Sequence, residues 1–125
     1  MNTNAPCPFC ASDRDRLSES ELSFAIYDAF PVSEGHTLII PKRHTPVFFD
    51  LNAEEQADCM RLLNKAKAYL EEKYRPDGFN VGINVGEAAG QTVPHVHIHL
   101  IPRYAGDVAE PRGGVRGVIP HKRSY

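Results

Sequence analysis

Half of the six histidines in this 125-residue chain fall at alternate positions of one apolar stretch: His95, His97 and His99 in "GQTVPHVHIHLIPRY". A β-strand sends successive side chains to opposite faces, so the three imidazoles share one face while Val96, Ile98 and Leu100 share the other. An imidazole is mostly neutral at pH 7 and needs no separate base, so the central His97 can attack an electrophile directly. One ion cannot collect all three rings. At a rise of roughly 3.3 Å per residue the first and third start about 13 Å apart, whereas zinc holds each nitrogen at roughly 2.1 Å. The residues just upstream point to the electrophile. Gly90, Gln91 and Thr92 supply backbone N–H groups, an amide and a hydroxyl, donors that bind phosphate oxygens where no cation supplies the charge. The competing reading, a solvated strand face that is merely His-rich, has no support from strand propensity.

A second pattern is the Cys7–Cys10 pair in "CPFC". A redox reading places such a pair at a helix start after a strand, but Pro6 and Pro8 flank it here. Zinc is the better reading. Two thiolates need two further ligands, and His44 with His95 would complete a tetrahedral Cys2His2 set of structural character. The total of three cysteines is odd. Cys59 lies apart in a helical pattern and reads as a small buried apolar residue.

These residues need elements to position them. Two strands, residues 24–27 and 37–40, flank a turn rich in Pro, Ser and Gly. A helix over residues 53–73 follows, with Asn52 as cap and Glu55 completing a capping box. Met60, Leu62, Leu63, Ala66, Tyr69 and Leu70 form its expected apolar side. "FNVGINVG" reads as a strand in which Gly82 permits close backbone approach, and residues 95–101 form a final strand between Pro94 and Pro102. The sum is an α+β fold: an antiparallel sheet of four to five strands with one long helix packed on it. One domain spans 1–125, a core to residue 104 and a Pro/Gly-rich tail carrying Arg112, Arg116, Lys122 and Arg123, poised to reach a polyphosphate leaving group or to remain a solvated end.

Composition narrows the partners. The formal charge is −2, so no global field favours nucleic acid or an anionic membrane. No apolar run approaches the roughly 20 residues that span a bilayer, and "MNTNAPCPFC" lacks the features of a secretion signal; a cytoplasmic location is expected.

The stretch His95-Val96-His97-Ile98-His99-Leu100-Ile101 resembles the signature of the histidine triad (HIT) family, three histidines alternating with apolar residues. The likeness extends through "GINVGEAAGQTVPHVHIHLIPRY" and back to "YDAFPVSEGHTLIIPKRH", and is greatest to the fragile-histidine-type dinucleoside polyphosphate hydrolases and related bacterial hydrolases. The resemblance implies a HIT-like fold and hydrolysis or transfer at the α-phosphate of a purine nucleotide, a dinucleoside polyphosphate or a phosphoramidate, through a covalent nucleotidyl-histidine. It implies His97 as nucleophile and His99 as a phosphate contact; Gly90, Gln91, Thr92 and Val93 as phosphate loop; Asn84 at the phosphates or ribose; and Asp28 on the ribose hydroxyls. Phe9 and Phe30 would flank the base. It further implies a homodimer, the structural zinc on Cys7, Cys10, His44 and His95 seen in several relatives, and Mg accompanying the substrate phosphates. His36 aligns with a further histidine of some relatives or is a turn residue. The rival readings are a zinc-dependent hydrolase and a non-catalytic nucleotide-binding protein.

Overall fold

A computed structural model describes residues 6–125; the reading of the first ten residues as lacking a signal lies partly outside that range. Five strands, β1 (Ser18–Glu19), β2 (Ser23–Tyr27), β3 (Thr37–Pro41), β4 (Gly78–Ile83) and β5 (Ile98–Arg103), form one sheet in the order β1-β2-β3-β5-β4. Every pairing is antiparallel. The long helix α1 (Ala53–Tyr74) packs on one face, as the α+β reading anticipates. No helix among the described residues is long and apolar enough to cross a membrane.

Helix α1 starts where expected. The Asn52 side chain accepts from the Glu55 N–H at 2.8 Å, and the Glu55 carboxylate accepts from the Asn52 N–H at 3.0 Å, two donors satisfied reciprocally. It ends at Arg75, in the left-handed conformation just before Pro76. Its buried stripe is Glu55, Asp58, Cys59, Leu62, Ala66 and Leu70. This corrects the expected apolar side: Met60 and Tyr69 are 37% and 47% exposed. Two carboxylates take the places left for apolar residues because each has partners. Glu55 accepts from Arg43, and Asp58 from the hydroxyls of Ser20 and Ser23. A buried charge is tolerated when it is bonded in this way.

Leu62, Ala66 and Leu70 meet Ala25, Ile39, Ile98 and Leu100 between helix and sheet. On the opposite face of the sheet, Phe9 packs on Phe24, Ile26, Leu38 and Ile40 of β2 and β3, the segment after residue 106 lies at the β4 end, and the part between them is open. His99 stands across from Leu38 of β3 and Gly82 of β4, so it belongs to this partly open face. Strand β5 begins at Ile98, three residues later than expected. His95 and Val96 instead bond to loops, the N–H of His95 to the Val93 carbonyl and that of Val96 to the Thr45 carbonyl, both at 2.8 Å. Pro102 falls within β5 beyond the last pair with β3, Thr37 with Leu100, where a missing N–H breaks no ladder bond to β3.

Candidate active site

The open part of the sheet face is a cleft of about 530 Å³. Of the expected residues, Asp28, Asn84, Gly90, Thr92, Val93, His97 and His99 line it, with Phe9 and Phe30 at its apolar end. Gln91 does not line it. Alternation holds despite the short strand: Val96, Ile98 and Leu100 are buried against the helix side, and the three imidazoles face the other way, with His95 fully covered.

Hydrogen bonds assign the ring protons. Nδ1 of His97 lies 2.8 Å from the carbonyl oxygen of His95. A carbonyl only accepts, so this nitrogen carries the proton and the Nε2 lone pair is left available. His36, fully enclosed beneath the cleft, accepts on Nδ1 from the Val32 N–H at 3.1 Å, so its proton sits on Nε2. That Nε2 lies 3.0 Å from Nδ1 of His99 and 3.4 Å from a carboxylate oxygen of Asp28. His99 therefore accepts on Nδ1 and carries its own proton on Nε2. Burial first, then the neighbouring His97 and His36, push His99 down to about 4, and burial likewise lowers His36 despite Asp28 beside it. The two cleft histidines are thus complementary, one presenting a lone pair and one an N–H, with ring centroids 5.1 Å apart.

The loop before the triad is built differently from the expectation. The amide of Gln91 donates to the carbonyls of Pro46 and Val93 at 2.8 and 3.1 Å, and its oxygen accepts from the Gly86 N–H. Gln91, 3% exposed, is a strut rather than a cleft donor. The N–H groups of Gly90 and Gln91 close a turn onto Glu87 and Gly86. Gly90 is required by its φ of 92°, which a side chain disfavours. The loop's remaining donors are the N–H groups of Thr92 and Val93 and the Thr92 hydroxyl. Asp28 accepts from the Phe30 N–H at 2.9 Å, which steadies its carboxylate at the cleft edge. Among the described residues it is the only carboxylate lining the cleft, so Mg accompanying the substrate phosphates would draw most of its ligands from the phosphates and water.

Cys7, Cys10, His44 and His95 come together beside the cleft, their ligand atoms all within 4.8 Å of one another. The contacts of His95 with His44, Cys7 and Cys10, and of His44 with Cys10, run from 3.1 Å between the two Nδ1 atoms to 3.4 Å between Cys10 Sγ and His95 Nδ1. This is the spacing of ligands around one tetrahedral ion. Nε2 of His95 donates to the Pro41 carbonyl at 2.8 Å, which leaves Nδ1 unprotonated and aimed at the thiols, the outer-shell bond a metal-binding imidazole needs. The donor set fits zinc. Asp28, His36 and His99 also cluster closely enough for a metal, but Nδ1 of His36 accepts a backbone proton. Binding an ion at Nε2 would require Nδ1 to carry a hydrogen facing the Val32 N–H. That trio is a hydrogen-bonded chain.

His36 and Arg14 are the residues sequence reasoning undervalued. Arg14 lines the cleft and donates to the Tyr27 carbonyl; no motif marks it. His36 carried a signal only through the resemblance.

A row of alternate histidines leading into a strand beside a cleft, on an antiparallel sheet backed by one helix, defines the histidine-triad class of α+β protein. The HIT domain model matches residues 11–106, and the chain belongs to this family. It is 40% identical over 103 residues to the bis(5'-adenosyl)-triphosphatase of Dictyostelium discoideum, covering 82% of this chain and 69% of that protein. The asymmetrical bis(5'-nucleosyl)-tetraphosphatase of Schizosaccharomyces pombe is 40% identical, over 73% of this chain and 50% of that protein. Among solved structures, a Zn-bound histidine triad family protein from Mycobacterium smegmatis superposes with a TM-score of 0.75 at 38% identity, covering 83% of this chain and 79% of that one.

Proposed function

We propose that the protein cleaves a nucleotide at its α-phosphate, with His97 as the nucleophile and a dinucleoside polyphosphate as the substrate class. The observation that carries this reading is the bond from His97 Nδ1 to the His95 carbonyl, which leaves Nε2 as a lone pair in the cleft. The names of the relatives from Dictyostelium and Schizosaccharomyces support the substrate class.

The base lies at the apolar end of the cleft, against Phe9, Phe30, Ile26 and Leu38, and Asp28 accepts from the ribose hydroxyls. The phosphate meets the N–H groups of Thr92 and Val93, the Thr92 hydroxyl and the Nε2–H of His99, fixed donors suited to a growing charge. Nε2 of His97 then bonds to phosphorus while the bond to the bridging oxygen breaks, and that oxygen leaves with the electron pair. The resulting cationic ring is stabilised by its Nδ1–H on the His95 carbonyl. Water attacks phosphorus in a second displacement, losing a proton to solvent, and the P–N pair returns to His97. Positioning and electrostatics account for most of the acceleration in such transfers.

Cys7, Cys10, His44 and His95 would hold zinc, which would supply a cross-link between the segments that carry them. Four protein ligands close a tetrahedral site, whereas a zinc hydrolase keeps one position open, so the arrangement favours a structural ion. His97→Ala should lower turnover by a factor of at least about 10³ while nucleotide affinity stays near wild type. Steady-state hydrolysis and calorimetric titration with a nucleoside monophosphate read the two quantities, and a variant that turns over normally refutes the assignment.

A further inference from the structure

The segment beyond the family match, which ends at residue 106, is folded back on β4. Two 3-10 turns, Gly114–Val118 and Pro120–Lys122, close around Arg123. A Cβ on Gly113 would lie 2.3 Å from the Arg123 carbonyl oxygen, and one on Gly117 would lie 3.3 Å from Arg123 Cδ. Arg116 donates to the carbonyls of Lys122 and Arg123. Arg112 and Arg116 are stacked on Tyr125 at 4.9 and 5.0 Å, which occupies the arginines expected to clamp polyphosphate.

Together with β4 this segment walls two cavities that continue the catalytic cleft. The nearer, about 260 Å³, is floored by Gly82 and His99, walled by Val115, and shares Val32, His36 and Asn84 with the cleft. The farther, about 500 Å³, adjoins it at Val32, Asn80 and Ile101 and ends at Arg103, Tyr104 and Arg123. Ile101 and Arg103 follow His99 on one face of β5, so the groove extends about 14 Å beyond the reacting centre at strand spacing. The base end lies over β2 and β3, and past His99 the groove follows the paired strands β5 and β4 toward Arg103, so what lies past the reacting phosphorus leaves along β5 and β4.

The walls select a chemistry. Arg103 and Arg123 are balanced by Glu34 and Asp107, and Arg103 is already held by Asp107 at 2.7 and 2.8 Å. A wall without net charge does not concentrate a bare polyphosphate. It does suit a neutral flat group with polar edges, set among Val32, Ile101 and Val115. Among the described residues, Nε of Arg123 is a buried donor with no acceptor, and such a group calls for one.

We propose that this groove is the subsite for the second nucleoside of a two-ended nucleotide, a specificity element that the segment after residue 106 adds to the HIT domain. The inference rests on the hydrolytic reading above. Gly82 offers the test, because a Cβ there meets nothing within 4 Å, so Gly82→Leu directs its side chain into the groove. With a dinucleoside triphosphate, Gly82→Leu and Arg123→Ala should each lose about tenfold in kcat/KM. With a nucleoside phosphoramidate, whose leaving group is a small amine, they should stay within about twofold. A methylene-bridged dinucleoside triphosphate should bind the wild-type protein about tenfold tighter than a nucleoside monophosphate, and Gly82→Leu should erase that difference. Equal losses on both substrates, no loss on either, or equal affinity of both ligands for the wild-type protein overturns the subsite. A wild-type protein that hydrolyses neither substrate yet keeps the affinity difference overturns the hydrolytic reading and leaves the subsite standing.

Discussion

Burial, reinforced by His97 and His36 alongside, holds His99 down to about 4, so it stays neutral and keeps presenting its Nε2–H well below neutral pH. Because its folded value lies below the ordinary histidine value of about 6.5, the unfolded chain binds more protons between those limits. Stability from this group is therefore present above pH 6.5 and is lost as pH falls through about 4. Histidine NMR titration should show His99 beginning to protonate only near pH 4; titration near 6.5 would contradict the enclosed hydrogen-bonded chain. Glu55, lowered chiefly by Arg43, adds a loss with the same sign at lower pH, within and below the ordinary carboxylate range. At this scale the sequence was legible where chemistry follows side-chain alternation, as it does for His97 and His99. It was misleading at Gln91, whose amide has the right chemistry for phosphate but is aimed at Pro46 and Val93. Composition lists donors, and only tertiary contacts decide what each donor meets.

Elements with local causes were the most legible. The α1 cap needs only Asn52 and Glu55, three positions apart, and both halves of the box are present. Asn52→Ala should cost about 1 kcal/mol, read as a fall of roughly 4 °C in Tm. Glu55 keeps its Arg43 partner in that variant, so α1 stays docked and nucleotide binding should be unaffected. The helix face was less legible because Glu55 and Asp58 are buried through partners on other segments, Arg43, Ser20 and Ser23, which no helical period can reveal. The onset of β5 was missed for a similar reason: Val96 bonds to Thr45, a residue of another loop, instead of extending the ladder. β1 has only two residues, too short for any alternation to register. The segment after Tyr104 reads as a Pro/Gly-rich tail, yet it forms two 3-10 turns, and its compact fold depends on Gly113 and Gly117 admitting Arg123, a contact visible only in three dimensions.

Across the whole molecule, the Cys7, Cys10, His44 and His95 cluster joins the N-terminal segment, the loop after β3 and the approach to β5. Phe9, between the two cysteines, lies 5.1 Å from the His97 ring, so the same segment lies against His97 and the β2–β3 apolar patch. A ligand that binds only the folded state stabilises it by mass action. Protein saturated with zinc should therefore melt higher than chelator-treated protein by several degrees, with one zinc per chain by elemental analysis. Cys7→Ser should bring the melting point to that of chelated wild type and abolish its response to chelator. Equal melting with and without chelator would remove the cross-link from this account.

Sequence separation adds a constraint of a different kind. Cys7 meets His95 across 88 positions and His36 meets His99 across 63, and closing such long loops is slow compared with forming a helix. During synthesis, the β2–β3 pair and the cleft wall it carries can form before the last third of the chain is made, but the wall bearing Thr92, His97 and His99 cannot. A nascent protein that has not yet released Arg103 from the ribosome has a scaffold with an unfinished cleft, so the facing histidines meet only after nearly the whole HIT domain has emerged.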